Sequence, residues 1–284
     1  MTTRTLIEAE ALEPLLGSRR LRLFDCRFDL ARPESGRQRY LDEHLPGAVY
    51  VDLNRDLSRP ATPTSGRHPL PAPEVFAARL REWGVNDDSL VVAYDDVNGM
   101  YAARLWWMLR WLGHDDAAVL DGGMRRWIQL GLPTSDEVRP TVHGNFIARP
   151  RPGRAVSADE LLLAGHDPAT RVLDARAPER YRGEVEPIDK VAGHVPGARN
   201  YPFTLNLDDQ GRFLPPGQLR AALAACLDDV APERTIAYCG SGVTACHLLL
   251  AMEHAGLAGA RLYPGSWSEW SSDPARPVAT GPEP

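Results

Sequence analysis

The sequence predicts two tandem α/β domains, each with a mainly parallel sheet flanked by helices. The chain has 284 residues, of which 43% are hydrophobic, and this is enough apolar material for two separate cores. Short apolar runs alternate with longer helical stretches, an order that is typical of parallel sheets covered by helices. A set of motifs also occurs twice in the same order, once in each half.

Four short apolar runs indicate buried strands, at residues 21–24, 90–94, 171–173 and 235–238. Stretches with helical character lie at residues 73–80, 101–112, 157–163 and 244–254. Each half therefore contains strands that alternate with helices, as a parallel α/β domain requires.

The repeated motifs indicate a duplicated domain. Asp25 in Leu-Phe-Asp-Cys-Arg corresponds to Asp174 in Leu-Asp-Ala-Arg, and the Pro-Gly-Ala motif after His44 corresponds to the one after His194. The remaining matches join Tyr94 to Tyr238 and segment 120–123 to segment 263–266. The spacing of the four matches is nearly constant, so the two halves differ only by short changes in loop length.

A proline-rich segment between the halves predicts the domain boundary. Residues 149–154 read Arg-Pro-Arg-Pro-Gly-Arg, and their prolines favour an extended connector. We therefore predict an N-terminal domain over residues 1–143, a linker over 144–155 and a C-terminal domain over 156–284.

Composition excludes several classes of partner. The formal net charge is -6, and no dense Lys/Arg tract is interleaved with aromatic residues, so we expect no nucleic-acid partner. Acidic residues interrupt the start of the chain, and no uncharged apolar run reaches about 18 residues, so we expect no membrane partner and a cytoplasmic location.

The four cysteines suggest neither a metal site nor a disulfide scaffold. They lack a Cys-x-x-Cys pair and zinc-finger spacing, and we expect reduced thiols, no bound metal and no organic cofactor. Three of them, Cys26, Cys226 and Cys246, are interpreted as packing residues, which is the usual role of a free cysteine.

Cys239 differs because it lies where a predicted strand meets a predicted helix, in Cys-Gly-Ser-Gly-Val-Thr. Gly240 and Gly242 let the backbone turn tightly, so that several N–H groups point at one place, and the positive end of the helix dipole adds to their field. Such surroundings stabilise a thiolate. The sequence therefore predicts that Cys239 is a nucleophile.

The loop from Cys239 to Ala245 resembles the active loop of 3-mercaptopyruvate sulfurtransferases, and the chain as a whole resembles the tandem two-domain enzymes of the rhodanese superfamily. The Asp-Ala-Arg motif at Asp174, the Gly-His-Val-Pro-Gly-Ala motif at His194 and the Gly-Ser-Trp-Ser-Glu-Trp motif at residues 265–270 are similar to other signatures of this family. The resemblance implies two tandem rhodanese-like domains, of which the N-terminal copy is inactive. The repeat agrees, because Asp95 stands where the second half has Cys239.

The resemblance implies a ping-pong sulfurtransferase. Its Cys239 thiolate would take sulfur from a small-molecule donor as a persulfide and pass it to cyanide or a thiol. A protein thiol such as thioredoxin is an acceptor compatible with this mechanism.

The family motifs also suggest residues around the nucleophile. Ser241 and Thr244 offer hydroxyl groups to sulfur or substrate, although helix capping is the alternative for both. His68 matches a first-domain histidine that the family brings to the active site, with no clear aspartate partner among residues 52–56. Arg182 matches an arginine that binds the substrate carboxylate. Gly240, Gly242 and Val243 complete the active-site loop.

Two positions bear on the identity of the sulfur donor. Many mercaptopyruvate enzymes have a second arginine in a Glu-Pro-Arg sequence, where this chain has Ile188. The thiosulfate enzymes of animals have an Arg-Lys pair after the cysteine, where this chain has Gly240 and Ser241. We expect 3-mercaptopyruvate to be the donor, with thiosulfate as the alternative.

Two other functions share this type of loop. A cysteine phosphatase or arsenate reductase needs an arginine six residues after the cysteine to hold an oxyanion, and this chain has Ala245 there. A non-catalytic rhodanese-like binding module would have no need of an intact Cys239 loop. We therefore prefer the sulfurtransferase.

Overall fold

The computed structural model describes residues 5–284 and contains two parallel sheets flanked by helices, which confirms the predicted fold class. One compact unit runs up to Arg59 and also includes Leu70–Arg151 and Asp209–Phe213. The other unit consists of Pro60–Pro69, Pro152–Asp208 and Leu214–Pro284. A ten-residue piece from the first half of the chain is thus part of the second unit.

The predicted linker, residues 144–155, contains no helix or strand. Along its first part, the backbone N–H of Gly144 donates to Arg81, that of Phe146 to Val85 and that of Arg149 to Leu112. This part therefore follows the surface of the first unit. The boundaries 1–143, 144–155 and 156–284 remain a prediction.

The first unit is a parallel sheet with helices between its strands. Its strands are β1 (Leu6–Ile7), β2 (Leu21–Asp25), β3 (Val49–Tyr50), β4 (Leu90–Tyr94) and β5 (Ala117–Leu120). Its helices are α1 (Ala9–Leu12), α2 (Ser35–Asp42), α3 (Pro73–Glu82), α4 (Ala102–Trp111) and α5 (Gly123–Gln129). The strand order is β1-β5-β4-β2-β3, and every residue of β4 and β5 is buried, as expected for strands covered on both faces.

The second unit repeats this plan. Its strands are β6 (Arg171–Asp174), β7 (Ala198–Asn200), β8 (Thr235–Tyr238) and β9 (Arg261–Leu262). Its helices are α6 (Ala158–Gly165), α7 (Pro178–Tyr181), α8 (Pro216–Leu227), α9 (Thr244–His254) and α10 (Ser266–Trp270). The order is β7-β6-β8-β9, and Ala155 bridges Leu262 in the place that β1 has in the first sheet.

Local sequence explains where several of these elements begin. Proline stands in the first turn of α3, α7 and α8, where its missing N–H costs nothing. Ser157 and Glu160 form a complete capping box at the start of α6. No helix within residues 5–284 is long and apolar enough to cross a bilayer.

The same buried polar network recurs in both units and confirms the repeat. Asp25 lies opposite Tyr94 in the first sheet, and Asp174 lies opposite Tyr238 in the second. Each carboxylate binds an arginine two residues later, Arg27 or Arg176, at 2.6 Å. Because both carboxylates are fully buried, this pairing offsets the cost of removing them from water.

The two repeated histidines also make equivalent contacts. The Nδ1 atom of His44 lies 2.6 Å from the carbonyl oxygen of Tyr40, and that of His194 lies 2.8 Å from the carbonyl oxygen of Tyr181. Each imidazole ring stacks on the tyrosine ring concerned. Contacts that are alike in both units fit a structural role for both histidines.

Candidate active site

Cys239 follows the last residue of β8, and α9 begins five residues later at Thr244. The side chain is buried, with 2% of the residue exposed. The backbone N–H of Gly242 donates to its Sγ atom at 3.2 Å. The thiol therefore lies inside a tight turn between a central strand and a helix N-terminus, as the sequence predicts.

The start of α10 holds this turn in place. The Ser266 hydroxyl accepts a hydrogen bond from the backbone N–H of Cys239 at 3.1 Å. The next two N–H groups, of Trp267 and Ser268, donate to the carbonyl oxygens of Cys239 and Gly240, both at 2.9 Å. Sequence reasoning matched this segment only as a family signature. In the structure, this segment fixes the backbone around Cys239.

The backbone conformation and close packing at Gly242 suit glycine and no other residue type. Its φ angle is +76°, in the left-handed region, and an added Cβ would lie 2.5 Å from the carbonyl oxygen of Pro264. The turn that points its N–H at the sulfur therefore depends on the absence of a side chain.

The first unit shows what such a turn can bind. Asp95 follows β4 as Cys239 follows β8, and its fully buried carboxylate accepts four backbone hydrogen bonds. Val97 and Gly99 donate to Oδ1, and Tyr101 and Ala102 donate to Oδ2, at 2.8–2.9 Å. Burial raises the pKa of Asp95, while these four hydrogen bonds work against the rise. The repeated strand-to-helix turn is thus an anion-binding nest in the unit that lacks the thiol.

His68 and Ser241 meet in the second unit, to which segment Pro60–Pro69 belongs. The Nδ1 atom of His68 lies 2.8 Å from the hydroxyl oxygen of Ser241, and both residues are buried. The structure therefore brings together the two groups that the sequence suggested, the imidazole of His68 and the hydroxyl of Ser241, which lies two residues after Cys239.

Neither Val243 nor Thr244 caps α9 with its side chain. The N-cap position of α9 is taken by Val243, and no side chain caps this helix end. Thr244 is the first residue of the helix and is half-buried. The capping alternative for Thr244 is therefore wrong.

Two arginines that sequence reasoning did not select lie beside Gly240. A Cβ atom at position 240 would be 3.0 Å from Nη2 of Arg67 and 3.5 Å from Nη1 of Arg180. Their guanidinium groups thus fill the space that a side chain after the nucleophile would take. The loop itself contains no cation, but the fold brings two cations to it. The sequence argument against thiosulfate, the lack of a cation at Gly240 or Ser241, therefore applies to the loop and not to its surroundings.

Arg182, the arginine that the sequence indicated, has another partner. Its guanidinium pairs with Glu184 at 2.7 Å, and 34% of its side chain is exposed. Arg180 lies two residues before Arg182, within α7. Because residues two apart on a helix do not share a face, the two side chains point in different directions. A substrate-binding role of Arg182 stays a prediction.

Cys26 and Cys226 lie in surroundings that suppress the reactivity of their thiols. Burial raises the pKa of the Cys26 thiol well above its usual value, and the nearby carboxylates of Asp95 and Asp25 add to the rise. Burial also raises the pKa of Cys226 in α8. Both residues are therefore kept as thiols at neutral pH, in agreement with a packing role.

Comparison with known proteins adds an independent finding. The profile of the rhodanese-like domain family matches residues 8–130 and 157–273. A protein of Pseudomonas aeruginosa named as a probable 3-mercaptopyruvate sulfurtransferase is 47% identical, over 99% of this chain and 100% of its own length. A protein of Mycobacterium tuberculosis, provisionally named a thiosulfate sulfurtransferase, is 42% identical over 91% of this chain and 90% of its own.

Solved structures agree with these matches. The crystal structure of a 3-mercaptopyruvate sulfurtransferase from Escherichia coli superposes with a TM-score of 0.81 and 34% identity. The match covers 94% of this chain and 100% of the bacterial one.

We predict that Gly242→Ala slows alkylation of Cys239 by iodoacetamide at neutral pH about tenfold, because the displaced backbone no longer donates to the sulfur and stabilises the thiolate less. The measurement is the rate of carbamidomethylation of the peptide that contains Cys239. Gly217→Ala is the matched control, since Gly217 lies in α8 with open space where its Cβ would be. Equal rates in the two variants would contradict the assigned role of the Gly242 N–H.

Proposed function

The chain belongs to the family of rhodanese-like domains, and from this premise we propose that it moves sulfane sulfur from 3-mercaptopyruvate, through a persulfide on Cys239, to a thiophilic acceptor. The protein is a sulfurtransferase with tandem rhodanese domains. One observation carries the residue assignment: the Gly242 N–H points at the buried Cys239 sulfur at the N-terminal end of α9.

In the first half-reaction the Cys239 thiolate attacks the sulfur of the donor. A sulfur–sulfur bond forms and the sulfur–carbon bond breaks, and its electron pair passes to the three-carbon fragment as an enolate. The proton of the donor thiol ends on the methyl carbon of pyruvate, so charge and atoms balance. The persulfide anion remains on Cys239, where the turn that binds the thiolate also accommodates a larger anion.

The residues around Cys239 fit the needs of this donor. We assign transfer of the thiol proton to Ser241 and His68, which are hydrogen-bonded to one another. Arg180 is suited to the donor's carboxylate because its guanidinium lies beside Gly240, the residue after the nucleophile. Thr244, at the start of α9, offers a further hydroxyl close in sequence to the nucleophile.

In the second half-reaction an acceptor attacks the outer sulfur of the persulfide. Cyanide takes it as thiocyanate, and a thiolate takes it as a new persulfide, while the Cys239 thiolate returns. A protein thiol such as thioredoxin remains our proposal for the acceptor in the cell, and the expected cytoplasmic location likewise stays a prediction.

Thiosulfate is a second candidate donor because of the two guanidinium groups beside Gly240. Attack of the thiolate on its outer sulfur would release sulfite and leave the same persulfide. Guanidinium groups bind a sulfonate well, and the animal thiosulfate enzymes place their cations at this point of the loop. We favour 3-mercaptopyruvate, since thiosulfate has neither a thiol proton nor a carbonyl oxygen to engage Ser241 and His68.

We predict that incubation with 3-mercaptopyruvate adds the mass of one sulfur atom to Cys239, and that Cys239→Ser abolishes this gain and lowers turnover at least about a thousandfold. Intact-mass and peptide mass spectrometry measure the first effect, and thiocyanate formation measures the second. Cys226→Ser is the control and should behave like the natural protein. A Cys239→Ser protein that still gains sulfur would sink the assignment.

We predict that kcat/KM with cyanide as acceptor is at least about tenfold higher for 3-mercaptopyruvate than for thiosulfate, because only the former uses the Ser241 and His68 pair. Ser241→Ala should reduce the value for 3-mercaptopyruvate more than the value for thiosulfate. A preference for thiosulfate in the natural protein would instead make this a thiosulfate sulfurtransferase.

A further inference from the structure

A cavity of about 360 Å³ lies within the second unit. Its walls come from residues 61–63 and 65–67, from residues 188–191, from Ser268 in α10 and from Ser271 and Ser272 just after that helix. The volume falls within the range of about 300–1,000 Å³ that is usual for small-molecule sites. Charged side chains line it at Arg67, Asp189 and Lys190.

Arg67 connects this cavity with the nucleophile loop. Its side chain lines the cavity, and its Nη2 atom is 3.0 Å from the position of a Cβ at Gly240. Its backbone N–H donates to the Ser268 hydroxyl at 3.1 Å, and the Ser268 N–H in turn donates to the Gly240 carbonyl. The arginine is thus held against the loop through its main chain as well as through its side chain.

The side chain of Arg67 is incompletely satisfied. Its Nη1 atom donates to Asp189, and its buried Nε atom has no hydrogen-bond partner. Asp189 is shared, because Arg180 also reaches it at 3.4 Å while pairing with Glu186 at 2.7 Å. Burial raises the pKa of the Asp189 carboxyl, and Arg67 works against that rise. One carboxylate therefore serves two guanidinium groups.

Ile188 lines the same cavity as Arg67. It stands where a Glu-Pro-Arg sequence would put a second arginine, so position 188 provides no guanidinium to this wall, whereas Arg67 provides one to another.

We propose that Arg67 is a specificity-determining residue that binds the anionic end of the sulfur donor together with Arg180. It takes the place of an arginine at position 188, where this chain has isoleucine. This inference rests on the proposed sulfurtransferase function. The ligand class is a small anion, a carboxylate or a sulfonate, on a molecule that carries a transferable sulfur. On binding, this anion replaces Asp189 as a partner of Arg67 and reaches the buried Nε, so that the donor's sulfur is held near Cys239.

The test compares Arg67→Met with the double variant Arg67→Met/Ile188→Arg. We expect Arg67→Met to lower kcat/KM for 3-mercaptopyruvate by about tenfold to a hundredfold, mainly through KM, because one charge-assisted contact is lost. The added arginine at position 188 should restore most of this loss. Arg234→Met is the control, since Arg234 is an exposed arginine of the same unit that pairs with Asp167.

A second measurement distinguishes the loss of the Arg67 charge from a structural disturbance of the Cys239 loop. Iodoacetate carries a carboxylate and iodoacetamide does not, and both alkylate thiolates. We expect Arg67→Met to slow alkylation of Cys239 by iodoacetate about tenfold while the rate with iodoacetamide stays unchanged.

Three outcomes would overturn the inference: an unchanged kcat/KM in Arg67→Met, no rescue by Ile188→Arg, or an equal slowing with both alkylating agents. Failure of the proposed function itself would show differently, as the absence of a persulfide on Cys239 in the natural protein.

Discussion

The turn between the central strand and the following helix is the constraint on which the site depends. In the first unit this turn directs four backbone N–H groups at the buried carboxylate of Asp95. In the second unit the turn is shorter, and the N–H of Gly242 points at the sulfur of Cys239. The same backbone turn therefore binds a carboxylate in one unit and donates a hydrogen bond to the Cys239 sulfur in the other. Asp95 fills the place in the first unit that Cys239 has in the second.

The positive charge beside the turn comes from segments of the chain outside the turn. Gly240 has no side chain, so Arg67 and Arg180 can approach the loop from two separate segments. Asp189 balances them both, which keeps two like charges close together without a bound substrate. Different parts of the unit thus contribute to the site: the turn donates a hydrogen bond to the sulfur, α10 fixes the turn, and Arg67 and Arg180 bring positive charge beside it.

Much of the fold and part of the candidate site were predictable from the sequence, and there are physical reasons why the other elements and residues were not. The longer strands and helices have strong apolar patterns, and β2, β4, β8, α3 and α9 lie where predicted. The two- and three-residue strands at the sheet edges, such as β3 and β9, are too short to show any period. The Cys239 loop was recognisable because strand, glycines and helix are contiguous.

Arg67 could not be recognised as a site residue, since its approach to Gly240 depends on segment Pro60–Pro69 belonging to the second unit, which is a long-range property. The sequence did not single out Arg180, because the side-chain directions in so short a helix as α7 cannot be read from the motif alone, and the role of Arg182 stays a prediction.

The most direct test of the account is a crystal structure of the protein after exposure to 3-mercaptopyruvate without an acceptor. The account predicts one additional sulfur atom bonded to Sγ of Cys239, at about the 2.05 Å of a sulfur–sulfur bond, inside the turn formed with Gly242. Extra sulfur on a different cysteine, or an unmodified Cys239 in crystals that have released pyruvate, would contradict it.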